Sequence, residues 1–258
     1  MKTRHFFLLV IVMISVFSYG SQAQTSAVKE ELTKAQNLIK QGNTEDASGI
    51  LVRLMQDYPD NREAVQGWLM INMKRSPTGE EEAIKQLEDL QRTYPKNTAI
   101  LFFKSFIQAE YGHYDEALAG YDKLIVLQPD TALNWIARGQ ILGEMNRNEE
   151  ALEAFEKATS LDPKRFDIWG MQAGALAKLK RYDEAISVLN KSVEFAPDYA
   201  VNIYNRGCVY CLMGDEANAL ADLRKAISLN PQFKSYAPKD EDFKSLWDNE
   251  IFKKLTSQ

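Results

Sequence analysis

Both cysteines of the chain stand at one C-x-x-C spacing, Cys208 and Cys211 in the stretch Gly207-Cys208-Val209-Tyr210-Cys211-Leu212. Such a pair serves a redox couple, half of a zinc site, or no chemistry at all. A structural zinc takes four ligands. Two cysteines and His113, far away in sequence, fall short of that, so no metal is expected. A redox couple needs the motif at a helix start beside a sheet. A disulfide across one helical turn would strain the bridge geometry, although an oxidising compartment leaves it open. The only other histidine, His5, stands near the N-terminus, which leaves little for acid–base or triad chemistry. His113, between Gly112 and Tyr114, reads as a turn residue, and acid pairs such as Glu149-Glu150 read as helix starts. No glycine-rich phosphate loop follows a strand. No catalytic residue, cofactor or metal is therefore assigned, and the chain is not expected to be an enzyme.

The elements that position these residues come from a repeat. Pro59, Pro95, Pro129, Pro163, Pro197 and Pro231 are spaced 36, 34, 34, 34 and 34 apart. Ala47, Ala83, Ala117, Ala151, Ala185 and Ala219 each precede one of them by 12 residues. Four residues after each alanine stands Leu51, Leu87, Tyr121, Phe155, Leu189 or Leu223. Within a unit, Trp135, Arg138, Gly139 and Leu142 share one face of a first helix. Ala151, Phe155 and Ala158 mark a second, after a polar break at residues 146–148. Acids such as Asp115-Glu116 and Asp183-Glu184 fill the first turn of most second helices, facing unpaired N–H groups. Gly42, Gly112 and Gly214 sit where a left-handed residue closes the turn between helices. The prolines end each second helix.

The order Trp, Leu-Gly, Tyr, Ala, Phe, Ala, Pro, most complete from Trp135 to Pro163, resembles the tetratricopeptide repeat. The resemblance implies an all-α, right-handed superhelical solenoid of antiparallel helix pairs. Its six units run over 28–61, 62–97, 98–131, 132–165, 166–199 and 200–233. The two extra residues of the second unit fall within Ser76-Pro77-Thr78-Gly79. Residues 234–258 keep an amphipathic pattern through Phe243, Leu246, Trp247, Phe252 and Leu255, with Asp248 as a candidate cap for a short helix. They read as a helical cap over the last unit, which a solenoid requires. A tail offered to a partner is the other reading.

The resemblance further implies that the first helices line a concave groove that takes a protein or peptide ligand. Carried over position by position, it selects Phe102, Phe106, Ile136, Gln140, Gly170, Gly174, Tyr204 and Cys208. Bulk at Phe102, Phe106 and Tyr204 around small residues at Gly143, Gly170 and Gly174 would make a pocket. The same small residues would equally serve close approach of neighbouring helices. The family's chaperone-tail constellation of Lys, Asn and Arg is missing, with Leu32 and Gln36 at two of its places.

Lys2, Arg4 and an apolar run of 12 residues from Phe6 to Phe17, broken by Ser15 and followed by Ser21-Gln22-Ala23, read as a signal peptide over 1–23 with cleavage after Ala23. A retained anchor is the alternative, although a spanning helix needs ~20 apolar residues. Cleavage leaves 29 basic against 36 acidic residues, a charge balance that argues against nucleic acid. The sequence thus points to an exported monomeric scaffold in a bacterial periplasm or outer envelope, in contact with a membrane only transiently through its leader. A self-associating structural subunit is the alternative.

Overall fold

In a computed structural model, residues 26–75 and 80–257 are described. The expected leader at 1–23 and the extra residues at 76–79 lie outside them. No strand occurs among the described residues, and none of their helices is long and apolar enough to cross a membrane. The chain divides into two compact units, residues 1–120 and 121–258.

In the first unit, α1 (Ser26–Lys40) packs on α2 (Thr44–Asp57), and α3 (Arg62–Arg75) is followed by α4 (Glu80–Thr93) and α5 (Thr98–Glu110). The division falls within α6 (Tyr114–Leu127). The second unit continues with α7 (Ala132–Glu144), α8 (Asn148–Leu161), α9 (Phe166–Lys178), α10 (Tyr182–Phe195), α11 (Ala200–Met213) and α12 (Glu216–Leu229). A short helix α13 (Phe233–Tyr236), 3-10 turns at Ala237–Lys239 and Glu241–Leu246, and α14 (Glu250–Thr256) close it. Within it, α9 packs on α8, α10 and α11, the contact pattern of a stacked solenoid.

The alanine register is the packing register. Ala47, Ala117, Ala151, Ala185 and Ala219 are fully buried and Ala83 nearly so. A Cβ on Gly139 would lie 2.7 Å from Phe155, so the contact between α7 and α8 needs that glycine. The turn between paired helices is equally regular. Gly42, Gly112 and Gly214 have φ near +80°, and Asn146 and Lys180 hold the same place at φ 58° and 60°. In every case the next N–H reaches back into the finished helix: His113 to the Gln108 carbonyl at 2.8 Å, Arg147 to Leu142 at 2.8 Å, Arg181 to Leu176 at 2.9 Å, Asp215 to Tyr210 at 2.9 Å. This closes the orphan carbonyls of the first helix. His113 is an exposed residue of that turn.

Two acids at second-helix starts do more than face the dipole. Arg147 and Arg181, the residues before α8 and α10, grip Glu150 and Glu184 through both nitrogens at 2.6–2.7 Å. The hydrogen bond from each arginine holds its partner's carboxyl below the usual carboxylate range.

Repeats are also tied across their seams by a spacing of 16 residues. Lys104 pairs with Glu88 at 2.9 Å, Arg138 with Asp122 at 2.8 Å, and Arg206 donates to Asn190 at 2.8 Å. Arg206 also clamps the buried Asp222 at 2.7 and 2.9 Å. Asparagines complete the seams. Asn97 caps α5 through the Ile100 N–H at 2.9 Å and donates to the Met55 carbonyl 42 residues back at 2.8 Å. Asn202 donates to the Phe166 carbonyl at 2.6 Å and to Ser192 at 2.5 Å.

Residues 233–257 pack against α11 and α12. Phe243 and Leu246 are fully buried and Phe252 almost so. The segment over 241–246 is 3-10 rather than α-helical, and α14 is capped by Asn249, not Asp248. Asn249 accepts from the Ile251 and Phe252 N–H groups at 2.9 and 3.2 Å, one residue later than the expected cap.

Candidate functional site: a shared open face of α7 and α9

The eight residues selected from sequence occupy two places on the first helix, the fifth and the ninth. The fifth-position residues Phe102, Ile136 and Tyr204 are 2, 2 and 3% exposed, and Gly170 is buried as well. Phe102 and Gly170 pack repeat against repeat, and Tyr204 packs under the C-terminal segment. In the first unit, the Arg62 guanidinium of α3 lies 4.3 Å over the Phe102 ring, and Phe103 meets that ring edge-on at 5.8 Å. In the second unit, a Cβ on Gly170 would lie 2.5 Å from the Asn202 side chain of α11. Gly170 therefore serves close approach of α9 and α11, not a pocket floor. Phe102, Ile136, Gly170 and Tyr204 are corrected from groove-lining to packing residues.

The ninth position differs from repeat to repeat. Phe106 of the first unit is half-buried, while Gln140 and Gly174 of the second are exposed. Two cross-helix contacts show that α7 and α9 share this face. The Gln140 amide nitrogen approaches the Met171 sulfur at 3.9 Å, and the Lys178 ammonium approaches the Gly143 carbonyl at 3.5 Å. Met171, Gly174 and Lys178 succeed one another at helical spacing along one side of α9. A Cβ on Gly143 or Gly174 would meet nothing within 4 Å. The result is an open shelf with a backbone floor at Gly143 and Gly174, edged by an amide, a thioether and an ammonium. Small residues there expose peptide groups, and the polar edges supply one neutral donor and acceptor and one cation. Met171 and Lys178 stood at groove positions in the sequence but carried no motif to single them out.

Cys208, the next ninth-position residue, is 6% exposed and cannot line a groove. The C-terminal segment covers it together with Tyr204. The Tyr204 ring stacks on Phe233 at 4.3 Å and meets Phe243 at 5.4 Å, and its hydroxyl donates to Asp240 Oδ2 at 2.7 Å. Burial first, and the Asp240 contact next, hold that phenol far above its ordinary range. Cys208 is likewise corrected: it lies in the core between α11 and the C-terminal segment. Both cysteines are free thiols.

Models of the tetratricopeptide repeat match residues 136–200 and 201–233. No curated protein matches significantly. Among solved structures, a tetratricopeptide repeat protein from Parabacteroides merdae ATCC 43184 is 20% identical, with a TM-score of 0.57 over 89% of this chain and 97% of its own. MamA is 19% identical, with a TM-score of 0.55 over 62% of this chain and 94% of its own. At these identities the likeness is one of fold alone; the repeats matched over residues 136–233 are of a type that binds protein or peptide partners. The repeat register, the stacked helix pairs and the matched models lead to one conclusion: residues 136–233 are tetratricopeptide repeats, in a chain whose fold is of the tetratricopeptide solenoid class.

Proposed function

We propose that the protein is an exported, non-catalytic scaffold that binds an extended peptide segment of a partner protein along the α7–α9 face. The observation that carries this reading is the shelf itself. Gln140 and Gly174 are exposed at positions one repeat apart, with no side chain above the glycine. Glycine inside a helix costs ~0.5–1 kcal/mol, a cost that an open, unpacked position does not recover by packing. A bound backbone over Gly174, with the Gln140 amide as donor and acceptor and Lys178 facing a partner carboxylate, recovers it. The basic start, the apolar run and Ser21-Gln22-Ala23 support export to a bacterial periplasm or outer envelope.

A photo-reactive residue at Gln140 tests the site in the native envelope, with the same residue at exposed Glu153 on α8 as control. Attachment of one partner at position 140 and not at 153 is the expected result. Equal labelling at both, or none at 140, rejects the shelf.

One observation favours a self-associating subunit as a second reading. Leu127, Phe195 and Leu229 stand at multiples of one repeat near the C-terminal ends of second helices and are 62, 68 and 38% exposed. Such a row is the kind of apolar surface a second copy covers. Light scattering at rising concentration decides between the two, since a constant monomer mass removes self-assembly.

A further inference from the structure

The C-x-x-C motif finds partners that lie 32 to 34 residues further along the chain. Cys208 and Cys211 both point toward the segment that covers α11. Cys208 Sγ lies 3.9 Å from Asp240 Oδ2, and Cys211 Sγ lies 3.1 Å from the Ser245 hydroxyl. The Cys208 sulfur and one carboxylate oxygen each from Asp240 and Asp242 all lie within 4.8 Å of one another. We infer that this space is a divalent-cation site of the zinc class, held by Cys208, Asp240 and Asp242, with Cys211 at its edge.

The geometry is close to what such an ion needs. With Zn–S of ~2.3 Å and Zn–O of ~2.1 Å, sulfur and oxygen on a tetrahedral shell stand about 3.6 Å apart. The Cys208–Asp240 separation of 3.9 Å is already near that value. Asp242 is exposed, so its carboxylate is free to close the remaining distance. Asp240 is held in place from outside the site: Tyr204 donates to its Oδ2 at 2.7 Å, and the Asp242 N–H donates to its Oδ1 at 3.1 Å. Such outer contacts orient a ligating carboxylate. The first contact aims Asp240 toward α11, and the second sets the Asp242 backbone beside it.

The Cys208 thiol is buried and turned into this space, and its side-chain hydrogen-bond partner is the Asp240 carboxylate. A bound cation makes the thiolate and both carboxylates the favoured forms. One thiolate among carboxylates suits zinc or cobalt and excludes calcium and magnesium, which take oxygen ligands. Sequence alone pointed away from a metal because the carboxylates carry no ligand spacing relative to the cysteines.

The test uses reduced, chelator-stripped protein titrated with Co2+ and then Zn2+. One Co2+ per chain with a thiolate charge-transfer band, displaced by Zn2+ and absent in Cys208→Ser, is expected. Asp242→Asn, at an exposed position, is expected to melt as the parent does and to bind Co2+ at least ten-fold more weakly. Absence of the band in the parent, its persistence in Cys208→Ser, or unchanged affinity in Asp242→Asn overturns the assignment.

Discussion

Gln140, Gly174 and Cys208 stand at the same place on α7, α9 and α11, one repeat apart, and meet different fates. The first two are open, while the third lies under the C-terminal segment. α7 and α9 both have a first helix after them on which to stack, whereas α11 ends the array. A terminal repeat leaves its apolar face uncovered unless the chain supplies a lid. Phe233, Phe243 and Leu246 are that lid, and Tyr204 meets it with a stacked ring and a hydroxyl. Position within the repeat therefore does not settle function; the element stacked next on the helix does. The fifth position teaches the complementary lesson, since Phe102, Ile136, Gly170 and Tyr204 are buried wherever they occur.

The contrast breaks first at the lid. Phe243→Ala removes a fully buried ring and should cost about 3–5 kcal/mol of second-unit stability in a urea titration. Cys208 should then react with a thiol reagent much faster than in the parent. An unreactive Cys208 in that variant would mean the lid is not what closes α11.

A smaller effect tests the register that turns Gln140 outward. Ala151 is fully buried between α7 and α8, so Ala151→Trp should lower stability by ~1–3 kcal/mol or more. An unchanged thermal midpoint would contradict this packing of α7 on α8.

Lys180 closes its turn at φ 60°, where Gly214 closes the next at φ 80°. A left-handed residue with a Cβ costs ~1–2 kcal/mol, part of which glycine's greater freedom in the unfolded chain offsets. Lys180→Gly should therefore raise stability by up to about 1 kcal/mol, and Gly214→Lys should lower it. Loss of stability in Lys180→Gly would remove the equivalence of the two turns.

The subtlest difference is one of pH. Burial holds the Cys208 and Cys211 thiols above their ordinary value in the folded protein. The unfolded chain therefore releases these protons first, near pH ~8.5. The stability they contribute is complete below that pH and drains as pH rises beyond it. Melting measured from pH 7 to 9.5 should show the decline, and Cys211→Ser should make it shallower. An identical slope in the two proteins would show that the thiol does not titrate with unfolding.

Much of this architecture is legible in the sequence. The buried alanines and the glycine turns come from local rules, because helix pairing within one repeat needs only nearby residues. Lys180 escaped because nothing in its own type favours a left-handed turn; the repeat imposes it. Asn249 took the cap from Asp248 because the preceding 3-10 turn shifts the start of α14 by one residue. The burial of Tyr204 and Cys208 escaped for a third reason. Their covers, Phe233 to Ser245, approach only after the chain reverses over α11, and no spacing rule encodes that return. The 16-residue spacing of Lys104, Arg138 and Arg206 from their partners was present in the sequence as a regular signal, and it marks the repeat seams.

The central claim is that the open α7–α9 shelf, not the closed α11 face, receives the partner. Gly174→Trp fills the shelf without touching the core, since a Cβ there meets nothing within 4 Å. Calorimetric titration of the partner captured at position 140 should show affinity reduced at least ten-fold in Gly174→Trp, with the melting temperature unchanged. Parental affinity in that variant would contradict the account.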